Sequence, residues 1–331
     1  MDEGRFHPVS GLDLPRYAGI ATFMRLPHVA LADLAGSGVD VGLIGLPWDG
    51  GTTNRAGARH GPRQIRDMST MIRAEHGATG LRPFELANCA DLGDVAPNPA
   101  DLADSLARIE AALRAVRAAG VRPLSAGGDH LCTLPVLRAL AADRPLALVQ
   151  FDSHTDLFRG YFGGSLYTHG TPFRRAVEEG LIDTARSVQI GIRGTTYDRE
   201  DRDFAASTGI RVVAVEELHA RGIAPVMAEV RARVGPAPAY VSYDIDFVDP
   251  AFAPGTGTPE VGGPTSHTAL MAARLLAGID IAGADVVEVS PPFDPGGGTA
   301  FLAAALMFEL LCCMVAPAAP HDPRPTAGAC P

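Results

Sequence analysis

Short apolar runs alternate with amphipathic stretches along most of the chain. Residues 39–45, 122–125, 145–149, 187–191, 211–215, 239–244 and 284–289 are short and mostly rich in Val, Ile and Leu, and read as buried strands. Between them, residues 63–73, 102–119, 133–142, 172–179, 201–207, 225–234, 266–277 and 299–314 read as helices, the first opened by Pro62 at a favourable first-turn position. Strands alternating with helices predict an α/β fold with a mainly parallel sheet covered on both faces. Residues 1–38 are punctuated by Pro and Gly and are expected to wrap the surface and meet a neighbouring subunit. Residues 39–315 then form one domain, and the Pro- and Ala-rich residues 316–331 a mobile tail.

Several of the apolar runs end in the same kind of residue. Gly127-Gly128-Asp129-His130, Asp152-Ser153-His154-Thr155-Asp156-Leu157, Asp244-Ile245-Asp246 and Glu288 all follow or close a predicted strand. Open α/β sheets place their sites at the carboxyl ends of strands, so these segments are expected to converge on one crevice. Asp152, His154 and Asp156 alternate, and period two in a strand would turn all three to one face. Taken singly, a strand-end Asp can cap the next helix and His130 can be a satisfied core histidine. Taken together, His130, Asp152, His154, Asp156, Asp244 and Asp246 crowd carboxylates and imidazoles at a cost that divalent cations remove. Six O and N donors without a thiolate exceed one four-coordinate zinc site and suit two ions such as Mn²⁺. Two such ions about 3.5 Å apart lower the pKa of a shared water toward about 7.

Composition narrows the partners. Of 331 residues, 47% are hydrophobic and 20% charged, as expected of a globular chain, and the formal net charge is -10 without a basic cluster. Nucleic acid and anionic membranes are thereby disfavoured, and a cationic group on a small substrate is favoured. Every basic residue is Arg, which excludes Schiff-base chemistry on Lys and a phosphate loop ending in Gly-Lys. Without that Lys, Gly255-Thr256-Gly257-Thr258 is a weak phosphate signal. Cys89, Cys132, Cys312, Cys313 and Cys330 lack metal spacing and read as free thiols in a reducing compartment. The first residues carry no secretory pattern, and no uninterrupted apolar stretch reads as long enough to span a bilayer; the expected location is the cytoplasm.

Gly127–His130, Asp152–Asp156 and the long run Ser242 to Glu260 resemble the three signatures of the ureohydrolase family of arginase, agmatinase and the guanidino-acid hydrolases. The likeness runs from about Tyr17 to Cys313, and residues 41–63, 167–176 and 287–294 resemble the bacterial guanidino-acid members in particular. It implies a three-layer α/β/α fold, a binuclear manganese centre with two Mn²⁺ per subunit, and trimers or hexamers. It also implies a ligand set of His130, Asp152, His154, Asp156, Asp244 and Asp246, with Asp152 and Asp244 bridging. Asp156 and His169 then handle protons, and Glu288 pairs with the guanidinium. Ser153 departs from the usual Ala and is expected to point away from the metals; Leu157 replaces a polar residue. For the substrate tail, Arg159, Tyr161 and Tyr167 are candidates, since a carboxylate suits an Arg. The implied reaction releases urea from 3-guanidinopropionate, with 4-guanidinobutyrate and agmatine as alternatives, and an inactive regulatory homologue as the alternative of another class.

Overall fold

The computed structural model describes residues 6–316. The strands are β1 (Val41–Gly45), β2 (Cys89–Asp94), β3 (Arg122–Ala126), β4 (Ala147–Phe151), β5 (Val188–Ile192), β6 (Arg211–Ala214), β7 (Ala239–Asp244) and β8 (Ile281–Val287). They form one sheet in the order β2-β1-β3-β8-β7-β4-β5-β6, and its strand pairings are all parallel. The α-helices are α1 (Gly61–Ser69), α2 (Pro83–Leu86), α3 (Leu102–Ala118), α4 (Thr133–Leu140), α5 (Pro172–Glu178), α6 (Glu200–Thr208), α7 (Val215–Arg221), α8 (Ile223–Val234), α9 (Ser266–Arg274) and α10 (Gly298–Val315).

Parallel strands need crossovers, and the crossovers here clothe both faces. Along β4, Ala147, Val149 and Phe151 face one apolar layer and Leu148 the other, as period two requires. The first layer is built by α1, α7, α8, α9 and α10, the second by α3, α4 and α5, which gives the three-layer α/β/α arrangement expected. Phe151, Tyr243 and Phe247 pack ring against ring under the carboxyl edge of the sheet, with centroids 4.7 to 5.6 Å apart. Part of the amino-terminal arm is buried rather than wrapped on the surface: Phe23, Met24 and Leu26 belong to the core.

Some elements differ from the sequence reading, among them the short α2, which it did not include. β2 escapes a hydrophobic pattern because it carries Asp91, which is buried and bound by Arg66 (Nε to Oδ2 2.8 Å). Residue 215, expected to end a strand, instead opens α7, where Glu216 and Glu217 suit the positive end of the helix. α10 is long and apolar enough, at 18 residues and mean hydropathy 2.0, to pass as a membrane span, contrary to expectation. It is also 78% buried inside the fold, against α1, α9 and β8, and its Glu309 is held by His76 and Arg274. An all-round apolar helix is what a core position demands. Cys89, Cys132, Cys312 and Cys313 are free and buried; Cys330 lies outside the described residues, as does nearly all of the expected tail.

Met307 is fully buried within that helix. Met307→Ala is expected to cost about 2–5 kcal/mol in urea unfolding at unchanged slope. A loss under about 0.5 kcal/mol, the range of ordinary surface substitutions, contradicts the packing described.

Candidate metal and substrate site

β3, β8, β7 and β4 are consecutive in the sheet, so the residues that follow them arrive side by side. His130 comes from β3, Glu288 from β8, Asp244 and Asp246 from β7, and Asp152 to Asp156 from β4. Close approach of neighbouring loops is part of the design. A Cβ on Gly128 would lie 1.6 Å from the Trp48 carbonyl oxygen, so only glycine lets the loops after β1 and β3 touch.

The candidate ligands are arranged by turns rather than by a strand. β4 stops at Phe151, and the alternation of Asp152, His154 and Asp156 falls in the loop beyond it. Asp156 has φ 51 and Glu288 φ 65, left-handed backbone that aims each side chain inward. Asp152 Oδ1 accepts from the His154 N–H (2.6 Å), and Asp244 Oδ1 from the Asp246 N–H (2.8 Å). Capping and metal binding are therefore not rival roles. One oxygen of each Asp closes its own turn, and the other is left for the cluster.

Two groups of donors result, His130–Asp152–Asp244 and Asp152–His154–Asp246, and they share Asp152. His130 Nδ1 lies 3.1 Å from Asp152, 2.9 Å from Asp156 and 3.2 Å from Asp244, yet makes no hydrogen bond among the described residues. Its other nitrogen, Nε2, meets Ser242 Oγ at 2.8 Å, and Ser242 donates to Asp285 (2.7 Å). That chain holds the Nε2–H tautomer and leaves the Nδ1 lone pair among three carboxylates, which suits a cation. The second group contains another such atom: Asp246 Oδ2 is buried without a hydrogen bond and 3.0 Å from His154 Nδ1. Oxygen and imidazole nitrogen donors fit hard or borderline divalent ions. Around them, Gln150 Nε2 donates to Asp152 Oδ2 (2.7 Å), and the Arg193 guanidinium binds the carbonyls of Asp246, Phe247 and Glu260.

The electrostatics describe the same crowding. Burial and the charges of Asp246 and Asp152 push Asp244 well above the usual carboxylate range. Burial and the Asp152 charge push Asp156 up to about 6. Asp152 goes the other way: burial would raise it, but His130 and His154 hold it down. Like charges this close ionise together only when a cation offsets them.

A cleft of 690 Å³ opens above the cluster, and His154, Asp156, Asp244, His169, Glu288 and Tyr161 all line it. Glu288 Oε1 accepts from the His130 N–H (2.9 Å) and meets His169 Nδ1 (2.9 Å), while Oε2 is buried with no hydrogen bond among the described residues. His169 Nε2 meets Thr53 Oγ1 at 2.7 Å. Burial would lower this imidazole, but Glu288, Asp129 and Asp156 raise it to about 9.

Other expected positions fall elsewhere. Arg159 is exposed and does not line the cleft. Tyr167 is also off the wall, with the Arg138 guanidinium 5.9 Å from its ring. Leu157 is fully buried in the core and makes no wall contact with a substrate. Ser153 does not point away: its Oγ donates to Asp246 Oδ1 at 2.8 Å. The wall cation is Arg55, from the loop after β1, held by the carbonyls of Thr256 and Gly257 and stacked 4.2 Å from the Phe293 ring. Tyr197 and Glu260 complete the wall and also escape the sequence reading. The clue available for Arg55 was position alone, a turn-rich loop at the carboxyl end of a strand.

An all-parallel α/β/α sheet whose central strand ends gather four carboxylates and two imidazoles is an α/β fold with a candidate metal site. The sequence profile described as the Arginase family matches residues 39–313, and the chain belongs to that family. It is 57% identical over 319 residues to guanidinopropionase of Pseudomonas aeruginosa, covering 96% of this chain and 99% of that one. It is 47% identical to guanidinobutyrase of the same organism, covering 94% and 98%. Among solved structures, proclavaminate amidinohydrolase from Streptomyces clavuligerus superposes with a TM-score of 0.86 at 44% identity, covering 91% of this chain and 99% of that one.

Asp152 is the carboxylate both donor groups share. Asp152→Ala is expected to abolish tight binding of divalent cations at both. Metal analysis after dialysis checks this, and an undiminished metal content contradicts it.

Proposed function

We propose that the chain hydrolyses a small guanidino acid, 3-guanidinopropionate first among them, to urea and β-alanine, using two Mn²⁺ ions. The observation that carries this reading is Glu288 Oε2, a buried carboxylate oxygen on the cleft wall with no hydrogen-bond donor among the described residues. Leaving a buried charged acceptor unpaired costs more than about 1–3 kcal/mol, and a guanidinium N–H removes that cost. The similarity to guanidinopropionase and guanidinobutyrase supports the acid, and the six O and N donors support manganese.

When bound, the ions would supply an activated water and offset charge developing at the guanidinium carbon. The remaining work falls to the chain. Glu288 is held through Oε1 by His130 N–H and His169, so Oε2 is presented in one orientation. It fixes the guanidinium and turns encounter into alignment. Asp156 and His169 flank that position and can hold and return the proton that the departing amine needs. Water adds at the central carbon, the C–N bond to the tail breaks, and urea and a primary amine leave. Arg55 is suited to the tail carboxylate and Tyr161 to packing along the tail, roles that the exposed Arg159 is poorly placed to fill.

Glu260 on the same wall favours a second reading, since its carboxylate could receive the ammonium of agmatine. In either case the chain is taken as a cytoplasmic oligomer. Buried free thiols support a reducing compartment, and exposed Leu12, Tyr17 and Ile20 on the arm support cover by another subunit.

Urea release from guanidinopropionate, guanidinobutyrate, agmatine and arginine with added Mn²⁺ tests the substrate. The acids are expected to lead; agmatine leading supports the second reading, and no urea from any overturns both. Glu288→Gln is expected to keep its metal and lose about 100-fold or more in kcat, the scale for removing one aligned electrostatic contact. An unchanged rate contradicts its role.

A further inference from the structure

Ser153 lies between two residues of the candidate metal cluster and is itself fully buried. Its Oγ is 2.8 Å from Asp246 Oδ1, and its backbone N–H donates to the same oxygen at 3.1 Å. Both donors sit on one oxygen of the carboxylate. The other, Oδ2, is buried, makes no hydrogen bond among the described residues, and lies 3.0 Å from His154 Nδ1. The carboxylate is thus split into an oxygen that is fastened and an oxygen that is free.

The hydroxyl has a second neighbour, His154 Nδ1 at 3.1 Å, but only one proton. Given to Nδ1, that proton would occupy the lone pair a cation needs. Given to Asp246, it meets the stronger, charged acceptor and leaves Nδ1 open. The 2.8 Å contact is the shorter of the two. The other donor group does not depend on Ser153, because His130 is held from behind by Ser242 and Asp285.

We propose that Ser153 is a positioning residue that holds the Asp246 carboxylate in one orientation and so sets the cation affinity of the Asp152–His154–Asp246 group separately from that of His130–Asp152–Asp244. The proposal rests on the two-cation reading of the site. Removing the hydroxyl leaves Oδ1 on the backbone N–H alone, and the carboxylate gains freedom to turn about its Cβ–Cγ bond. Loss of such a supporting contact lowers metal affinity by about 10- to 100-fold.

The test is a Mn²⁺ titration of the metal-stripped parent and Ser153→Ala, followed through the electron paramagnetic resonance signal of free Mn²⁺. The parent is expected to bind two ions. The variant is expected to bind one as tightly as the parent and the other at least 10-fold more weakly. Two unchanged affinities, both weakened together, or one strengthened would overturn the role given to Ser153. A parent that binds fewer than two ions would instead remove the two-cation reading, and this inference with it.

Discussion

Four carboxylates, Asp152, Asp156, Asp244 and Asp246, are buried around two imidazoles at the carboxyl edge of the sheet. Burial and the charges of Asp246 and Asp152 push Asp244 up, whereas His130 and His154 hold Asp152 down against its own burial. Burying such groups is expensive unless cations or hydrogen bonds compensate. Here the hydrogen bonds are rationed. Each turn-closing Asp gives one oxygen to the backbone, and the Nδ1 of His130 and Oδ2 of Asp246 are left over.

The fold serves that constraint through strand order. Placing β3, β8, β7 and β4 in sequence across the middle of the sheet brings distant segments of chain to one edge without long loops. Gly128 allows the β1 loop to close over the edge, and that loop brings Thr53 to His169 and Arg55 to the wall. Glu288 is tied to the metal cluster through the His130 backbone, so the group that would hold a guanidinium and the group that would hold a cation are set by the same turn.

Much of this could be read from the residues alone. Apolar runs set by period located every strand but β2, whose buried Asp91 breaks the pattern because its charge is answered by Arg66, 25 positions away. The metal cluster was legible because its members are unusual residues at strand ends. Its geometry was not. Period two suggested a strand face, whereas the chain uses left-handed backbone at Asp156 and Glu288, which sequence patterns do not encode. The wall of the cleft was least legible. Arg159, near the metal motif in sequence, is exposed, and Arg55, about a hundred residues away, stands on the wall because carbonyls of another loop hold it there. Ser153 illustrates the same limit, since its direction depends on where Asp246 arrives from β7.

We expect the two donor groups to hold two cations joined by Asp152. Anomalous scattering from a crystal grown with Mn²⁺ is the decisive measurement. Two peaks are expected in each chain, one against His130 and Asp244, one against His154 and Asp246, both in contact with Asp152. A single peak, or two peaks of which either makes no contact with Asp152, would overturn the two-cation reading.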